Sequence, residues 1–201
     1  RSPSMVVAAW ARRIEELQSM KIRNVVTGHD EQGHAKVVQD RQVDMTSVTL
    51  MPGMGFHMLW STAGLPHFPD RGEQDPSPTY FPPAGGTRFL VFTIPAQRVP
   101  PPEGTDLAAA RREADAVLPG LLEKMEPNNP GMHRSLTIDF IYILEGEIVL
   151  ELDDGCQTVL RAGDSAVQNG TRHAWRNQSG APCKMLVCLV GAEGAEPTCS
   201  V

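Results

Sequence analysis

A chain of 201 residues suits one domain, or one with an elaborated N-terminal part, and can remove about 70% of its unfolded surface from water. A net charge of −6 and a pI near 5.5 give no basic footprint for nucleic acid or an anionic membrane. No apolar run approaches the ~20 residues of a membrane-spanning helix. Cys156, Cys183, Cys188 and Cys199 lack CxxC spacing and read as free thiols of a reducing compartment, with the cytoplasm as the expected location.

Arg1 to Ser4 precede Met5 without a hydrophobic signal core and read as a tag remnant or disordered end. Over residues 5–20, Val7, Trp10, Ile14 and Leu17 recur at helical spacing among Arg12, Arg13, Glu15 and Glu16, which predicts an amphipathic helix. Ile22 to Thr27 and Ala35 to Gln39 predict a hairpin around residues 28–33. Val43 to Leu50 and Gly55 to Trp60 are two further strands, split by Pro52-Gly53. Met45, Met51, Met54 and Met58 suit an adaptable pocket wall or plain core filling. Residues 64–86 carry Pro66, Pro69, Pro76, Pro78, Pro82 and Pro83 and form a long irregular loop, a type that is usually functional or mobile. Thr87 to Pro95 is a strand. A helix from about Asp106 to Val117 follows, with Thr105 as N-cap and Arg111 and Arg112 on its solvated side, until Pro119-Gly120 breaks it.

The densest pattern runs from His133 to Asn177. With period two, His133, Ser135, Thr137, Asp139, Ile141 and Ile143 share one face. The opposite face carries Ile138, Phe140, Tyr142 and Leu144. A solvated face should be polar, so the N-terminal strands, a helix or a second subunit should cover it. Turns at Gly146, Asp153-Asp154-Gly155, Gly163 and Asn169-Gly170 separate short strands, and His173, Trp175 and Asn177 share a face of the last. Short strands so evenly spaced predict an antiparallel barrel or jelly roll.

At these residues the chain resembles the cupin superfamily. His133 stands at the first histidine of the first cupin motif, Asp139 at its carboxylate and Gly146 at its closing glycine; Gly163, Gly170, His173 and Asn177 supply most of the second. Ser135 occupies the place of the motif's second histidine. The resemblance implies an all-β cupin jelly-roll barrel with added N-terminal strands and a few helices. Residues 1–126 would be the N-terminal elaboration, 127–192 the conserved barrel and 193–201 a flexible tail. It also implies a homodimer and a small-molecule substrate, while the charge and the lack of a long apolar run lead us to expect no nucleic-acid or membrane partner. His133, Asp139 and His173 are the expected catalytic residues and the expected metal ligands. They could hold a divalent metal (Fe, Zn, Mn or Ni) or, without one, form an acid–base cluster.

The function implied is a metabolic enzyme acting on an oxygenated carboxylate, aromatic or polyketide-like metabolite. The preferred chemistry is non-oxidative: dehydration, isomerisation or decarboxylation by acid–base or Lewis-acid action, with His173 as base. A non-haem Fe(II) dioxygenase using the same three residues, and a ligand-binding cupin without turnover, are the alternatives. Elsewhere, His57 reads as structural or as lining a barrel mouth, His29 and His34 as solvated, and His67 as a loop residue able to act as a lid. Arg134, Arg172 and Arg176 should face solvent or an interface, Arg88 should lie at the surface or meet a substrate carboxylate, and Asn177 should fix a turn.

Overall fold

The structure is a computed structural model and describes residues 20–74 and 78–195. Arg1 to Ser4, nearly all of the expected helix at 5–20, and Cys199 lie outside the described residues. Ten strands are described: β1 (Lys21–His29), β2 (Ala35–Asp44), β3 (Gly55–Thr62), β4 (Thr87–Ile94), β5 (Thr137–Glu145), β6 (Glu147–Glu151), β7 (Gln157–Arg161), β8 (Ser165–Asn169), β9 (Ala174–Arg176) and β10 (Cys183–Gly191). The described helix, α1, spans Leu107–Val117.

Two antiparallel sheets, of order β3-β4-β10-β5-β8 and β7-β6-β9, make an all-β jelly roll. One apolar cluster joins them: Phe56, Leu90, Ile94, Ile141, Ile143, Met185 and Leu189 from the first sheet, Ile148 and Leu160 from the second. Alternation on β10 is strict, with Cys183, Met185, Val187, Leu189 and Gly191 buried. Met51, Met54 and Met58 of the methionine run pack against the same core. Leu118 and Leu121, just past α1, complete it.

Several expected boundaries shift. The first hairpin forms as a separate two-stranded sheet, β1-β2, rather than extending the barrel; β3 and β4 do extend it. Val43 to Leu50 does not form a strand of its own, since Val43 and Asp44 close β2. β2 ends at Asp44, Thr46 makes an isolated bridge to Phe56, and hydrogen bonds from Met51 to Val48 and from Met54 to Met51 wind the chain back into β3. The cap of α1 is Asp106, whose carboxylate accepts from the backbone N–H groups of Ala108 and Ala109, while Thr105 bonds back to Pro102. Arg111 and Arg112 are exposed, as their helical phase requires.

The outer face of β5 is open among the described residues. Phe140, Tyr142 and Leu144 are exposed, so neither β1-β2 nor α1 covers them. Cys156, Cys183 and Cys188 are free thiols. No helix among the described residues is long and apolar enough to cross a membrane.

Gly146 joins the two sheets at the β5–β6 turn. Its φ is +80°, and a Cβ there would lie 2.5 Å from the Pro182 carbonyl oxygen. Gly146→Ala should therefore lower the unfolding free energy by about 2 kcal/mol or more, measured by urea denaturation.

Candidate active site

The predicted alternation of the first motif strand holds. His133, Ser135, Thr137 and Asp139 are all buried and on the same side as Ile141 and Ile143. The polar end of this row precedes the barrel strand proper: His133 forms an isolated antiparallel bridge with His173, each N–H bonded to the other's carbonyl. Gly170 permits that approach, since its φ is +63° and a Cβ would lie 3.2 Å from the Ser135 carbonyl oxygen.

The bridge sets the two imidazoles side by side, their centroids 4.4 Å apart. His133 Nδ1 lies 3.0 Å from the Gly131 carbonyl and His173 Nδ1 2.9 Å from that of Thr171. A carbonyl only accepts, so each neutral ring carries its proton on Nδ1 and keeps the Nε2 lone pair. Burial lowers the pKa of both. That of His173 falls to about 4, through burial first and the neighbouring His133 second. Both rings are therefore neutral acceptors at physiological pH.

Asp139 is displaced in the opposite sense. Burial raises its pKa to about 6, opposed by a hydrogen bond from Thr137. Since Thr137 gives its one hydroxyl proton to Asp139, Ser135 must donate in the 2.7 Å contact between the two hydroxyls. Ser135 thus braces the carboxylate through Thr137. Asp139 Oδ1 has no hydrogen-bond partner among the described residues.

Residues outside the two motifs complete the surroundings. Phe56, Tyr80, Phe81, His133, His173 and Trp175 form an unbroken succession of ring contacts with centroids 4.4–5.8 Å apart. Tyr80 and Phe81 come from the proline-rich loop, held by a 2.7 Å bond from Tyr80 N to the Pro119 carbonyl. Burial, then the Asp139 charge, raises the Tyr80 phenol's pKa. Gln168 on β8 lies opposite Asp139 on β5 and is also buried. Neither Tyr80 nor Gln168 stood out in the sequence. For Gln168 the signal was parity, a polar residue on the inward phase of a strand whose outward residue is Val167.

The remaining residues support the site or lie away from it. Arg172 does not simply face solvent. It forks onto both Glu126 oxygens, at 2.5 and 2.6 Å, and reaches Asp153. Arg176 binds Glu151, Asn129 and the Pro130 carbonyl. Together they clamp the segment entering at His133 onto β9. Arg88 is buried rather than at the surface, its guanidinium held by the carbonyls of Thr62, Thr79 and Thr87. His57 is buried and bonded to the Met20 carbonyl, whereas His67 is exposed. Asn177 fixes a turn through Ser179 and Ala181.

Residues 121–189 match the family model described as Cupin domain. That stretch is a cupin domain. The chain is 48% identical over 50 residues to "Oryzines biosynthesis cluster protein J" of Aspergillus oryzae, covering 25% of this chain and 28% of that one. To "Cupin-domain-containing oxidoreductase srdB" of Neurospora crassa it is 27% identical over 171 residues, covering 82% and 71%. The match thus spans only about a quarter of the first of these relatives. Among solved structures, the Schizosaccharomyces pombe Cnp3 cupin domain is 11% identical, covers 86% of this chain and 89% of its own, and has a TM-score of 0.45.

The cupin family implies a divalent metal, and the donors here can be tested against one. Two Nε2 lone pairs are available, but the third imidazole position is Ser135, whose hydroxyl is engaged with Thr137. Among the described residues, no three His, Cys, Asp or Glu side chains are placed to hold an ion together. His133, Asp139 and His173 do not fit a three-ligand centre in this arrangement, so no step below runs through a metal.

Asp139 makes stability pH-dependent. The folded carboxyl keeps its proton to about pH 6, the unfolded one only to about 4. Between those values the folded state binds more protons, so stability falls as pH rises. Asp139→Asn removes that loss. Its unfolding free energy relative to the unaltered chain should climb between pH 4 and 6 and level off above 7, gaining on the order of 2 kcal/mol. Denaturation across this pH range measures it; the opposite slope from His173 is common to both proteins and cancels in the difference.

Proposed function

We propose that this cupin is an enzyme of secondary metabolism that acts on a small oxygenated carboxylate, aromatic or polyketide-like molecule by acid–base chemistry, without oxidation. The observation that supports it most is the pair of neutral imidazoles, each with Nδ1–H held by a backbone carbonyl and Nε2 left as a base. Further along the same inward face, Asp139 is displaced the other way and holds a proton closer to neutrality. Groups whose surroundings push their pKa values apart are suited to opposite halves of a proton transfer. In this scheme His173 Nε2 removes a proton from the substrate while the Asp139 carboxylate accepts a hydrogen bond from a substrate hydroxyl, its raised pKa suiting it to take up and return that proton. Dehydration and isomerisation use such proton transfers, and decarboxylation uses the return of a proton to carbon. The named cluster relatives support the placement in secondary metabolism.

A second reading is favoured by one observation, the relatives named cupin-domain-containing oxidoreductases, one of which aligns with 82% of this chain. It would make the protein an iron-dependent dioxygenase. Turnover of the substrate under anaerobic conditions separates the two. The expected outcome is full activity without oxygen uptake, falling at least about 100-fold in His173→Ala. Stoichiometric oxygen consumption, abolished by chelation and restored by iron(II), would instead favour the dioxygenase. Unchanged activity in both His133→Ala and His173→Ala would reject either reaction at this site.

A homodimer belongs to the same proposal, supported by the apolar outer face of β5, where Phe140, Tyr142 and Leu144 adjoin Val167 of β8. Phe140 is already exposed in a single copy, so Phe140→Asp should leave the fold intact and shift sedimentation from dimer to monomer. A variant that still sediments as a dimer would place the interface elsewhere.

A further inference from the structure

Among the described residues, two of the buried polar atoms without a partner belong to residues on facing strands of the barrel. Asp139 and Gln168 are Cα partners across β5 and β8, 4% and 3% exposed. Directly opposed residues of an antiparallel pair project from the same face, with Cβ atoms about 4.5–5.5 Å apart. Yet Asp139 Oδ1 and Gln168 Nε2 bond neither each other nor anything else among the described residues. Each side chain is secured at its other end: Thr137 donates to the Asp139 carboxylate, and the Thr171 hydroxyl donates to Gln168 Oε1. Neither can turn away to find a partner without breaking the bond it already has. Buried donors and acceptors are nearly always paired. A free acceptor facing across from a free donor therefore describes the molecule that would satisfy both.

We propose that Asp139 and Gln168 form the polar recognition subsite of the barrel and take an uncharged hydroxy-carbonyl compound, its hydroxyl donating to Asp139 Oδ1 and its carbonyl oxygen accepting from Gln168 Nε2. This rests on the barrel interior being the active site, and it narrows the substrate class there. A carboxylate in place of the carbonyl would set a second negative charge against Asp139. An aryl group on the same compound has a surface to pack on, since rings continue from Phe56 through Tyr80 and Phe81 to His133.

Calorimetric binding at pH 8 on the full chain tests this with three probes: 2-hydroxyacetophenone, acetophenone, which lacks the hydroxyl, and 2-hydroxybenzoate, which carries the carboxylate. The hydroxyketone should bind about tenfold more tightly than either of the others. Gln168→Met should weaken it about tenfold, and Asp139→Asn should erase the discrimination against 2-hydroxybenzoate, which a merely structural role for Asp139 would not alter. Equal affinity for all three probes in the unaltered chain, a comparison that requires no variant to fold, would overturn the proposal. So would unchanged hydroxyketone affinity in Gln168→Met. Activity surviving His173→Ala would reject the acid–base reaction and leave these affinities as they are, so the two failures are distinguishable.

Discussion

A row of polar side chains set into an apolar barrel governs this site. His133, Ser135, Thr137 and Asp139 occupy inward positions that strand alternation otherwise gives to Ile141 and Ile143. A polar group removed from water must be paired, and pairing runs along the row: Ser135 to Thr137, Thr137 to Asp139, His133 back to the Gly131 carbonyl. What is left over is where chemistry can occur. Two imidazole Nε2 atoms, one carboxylate oxygen and one amide group emerge from these bonds oriented but unspent. The same burial lowers the pKa of the histidines and raises that of the carboxylate, so one physical cause moves the two kinds of group in opposite senses.

Ser135 shows how one residue redirects the family's site. An imidazole there would add a third nitrogen donor beside His133 and His173. The hydroxyl instead turns along the strand and braces Asp139 through Thr137. The carboxylate is thereby tied into the barrel wall rather than gathered with the imidazoles around a common point. The arginine clamps serve the other side of the site. Arg172 on Glu126 and Asp153, with Arg176 on Glu151 and Asn129, fix the segment that delivers His133, so the imidazole pair is positioned by charge-assisted bonds at its rim.

Much of this was legible in the sequence wherever a repeating period carried the information. The inward set from His133 to Ile143 follows from alternation alone, and Gly146 and Gly170 mark turns because their backbones adopt conformations that other residues resist. Legibility failed where position depends on tertiary contact. Tyr80 sits in an irregular loop without period, placed by a bond to Pro119 nearly forty residues on. Gln168 was obscured because β8 inverts the usual order, with Val167 outward and the polar residue inward. Val43 to Leu50 has a strand's composition, but the chain there must turn back to start β3. Arg88 looked like a surface cation because nothing local announces that three carbonyls will surround it.

That buried guanidinium closes the proline-rich loop at its base. The carbonyls it holds belong to Thr62, where the loop leaves β3, and to Thr79 and Thr87, which flank the segment bearing Tyr80 and Phe81. The outer part of the loop has a separate attachment, to the β1–β2 hairpin, through His29 at Asp70 and Gln39 at the Gly72 carbonyl. The aromatic pair beside His133 and the outer loop are therefore anchored independently, one on a buried guanidinium and the other on a hairpin outside the two main sheets.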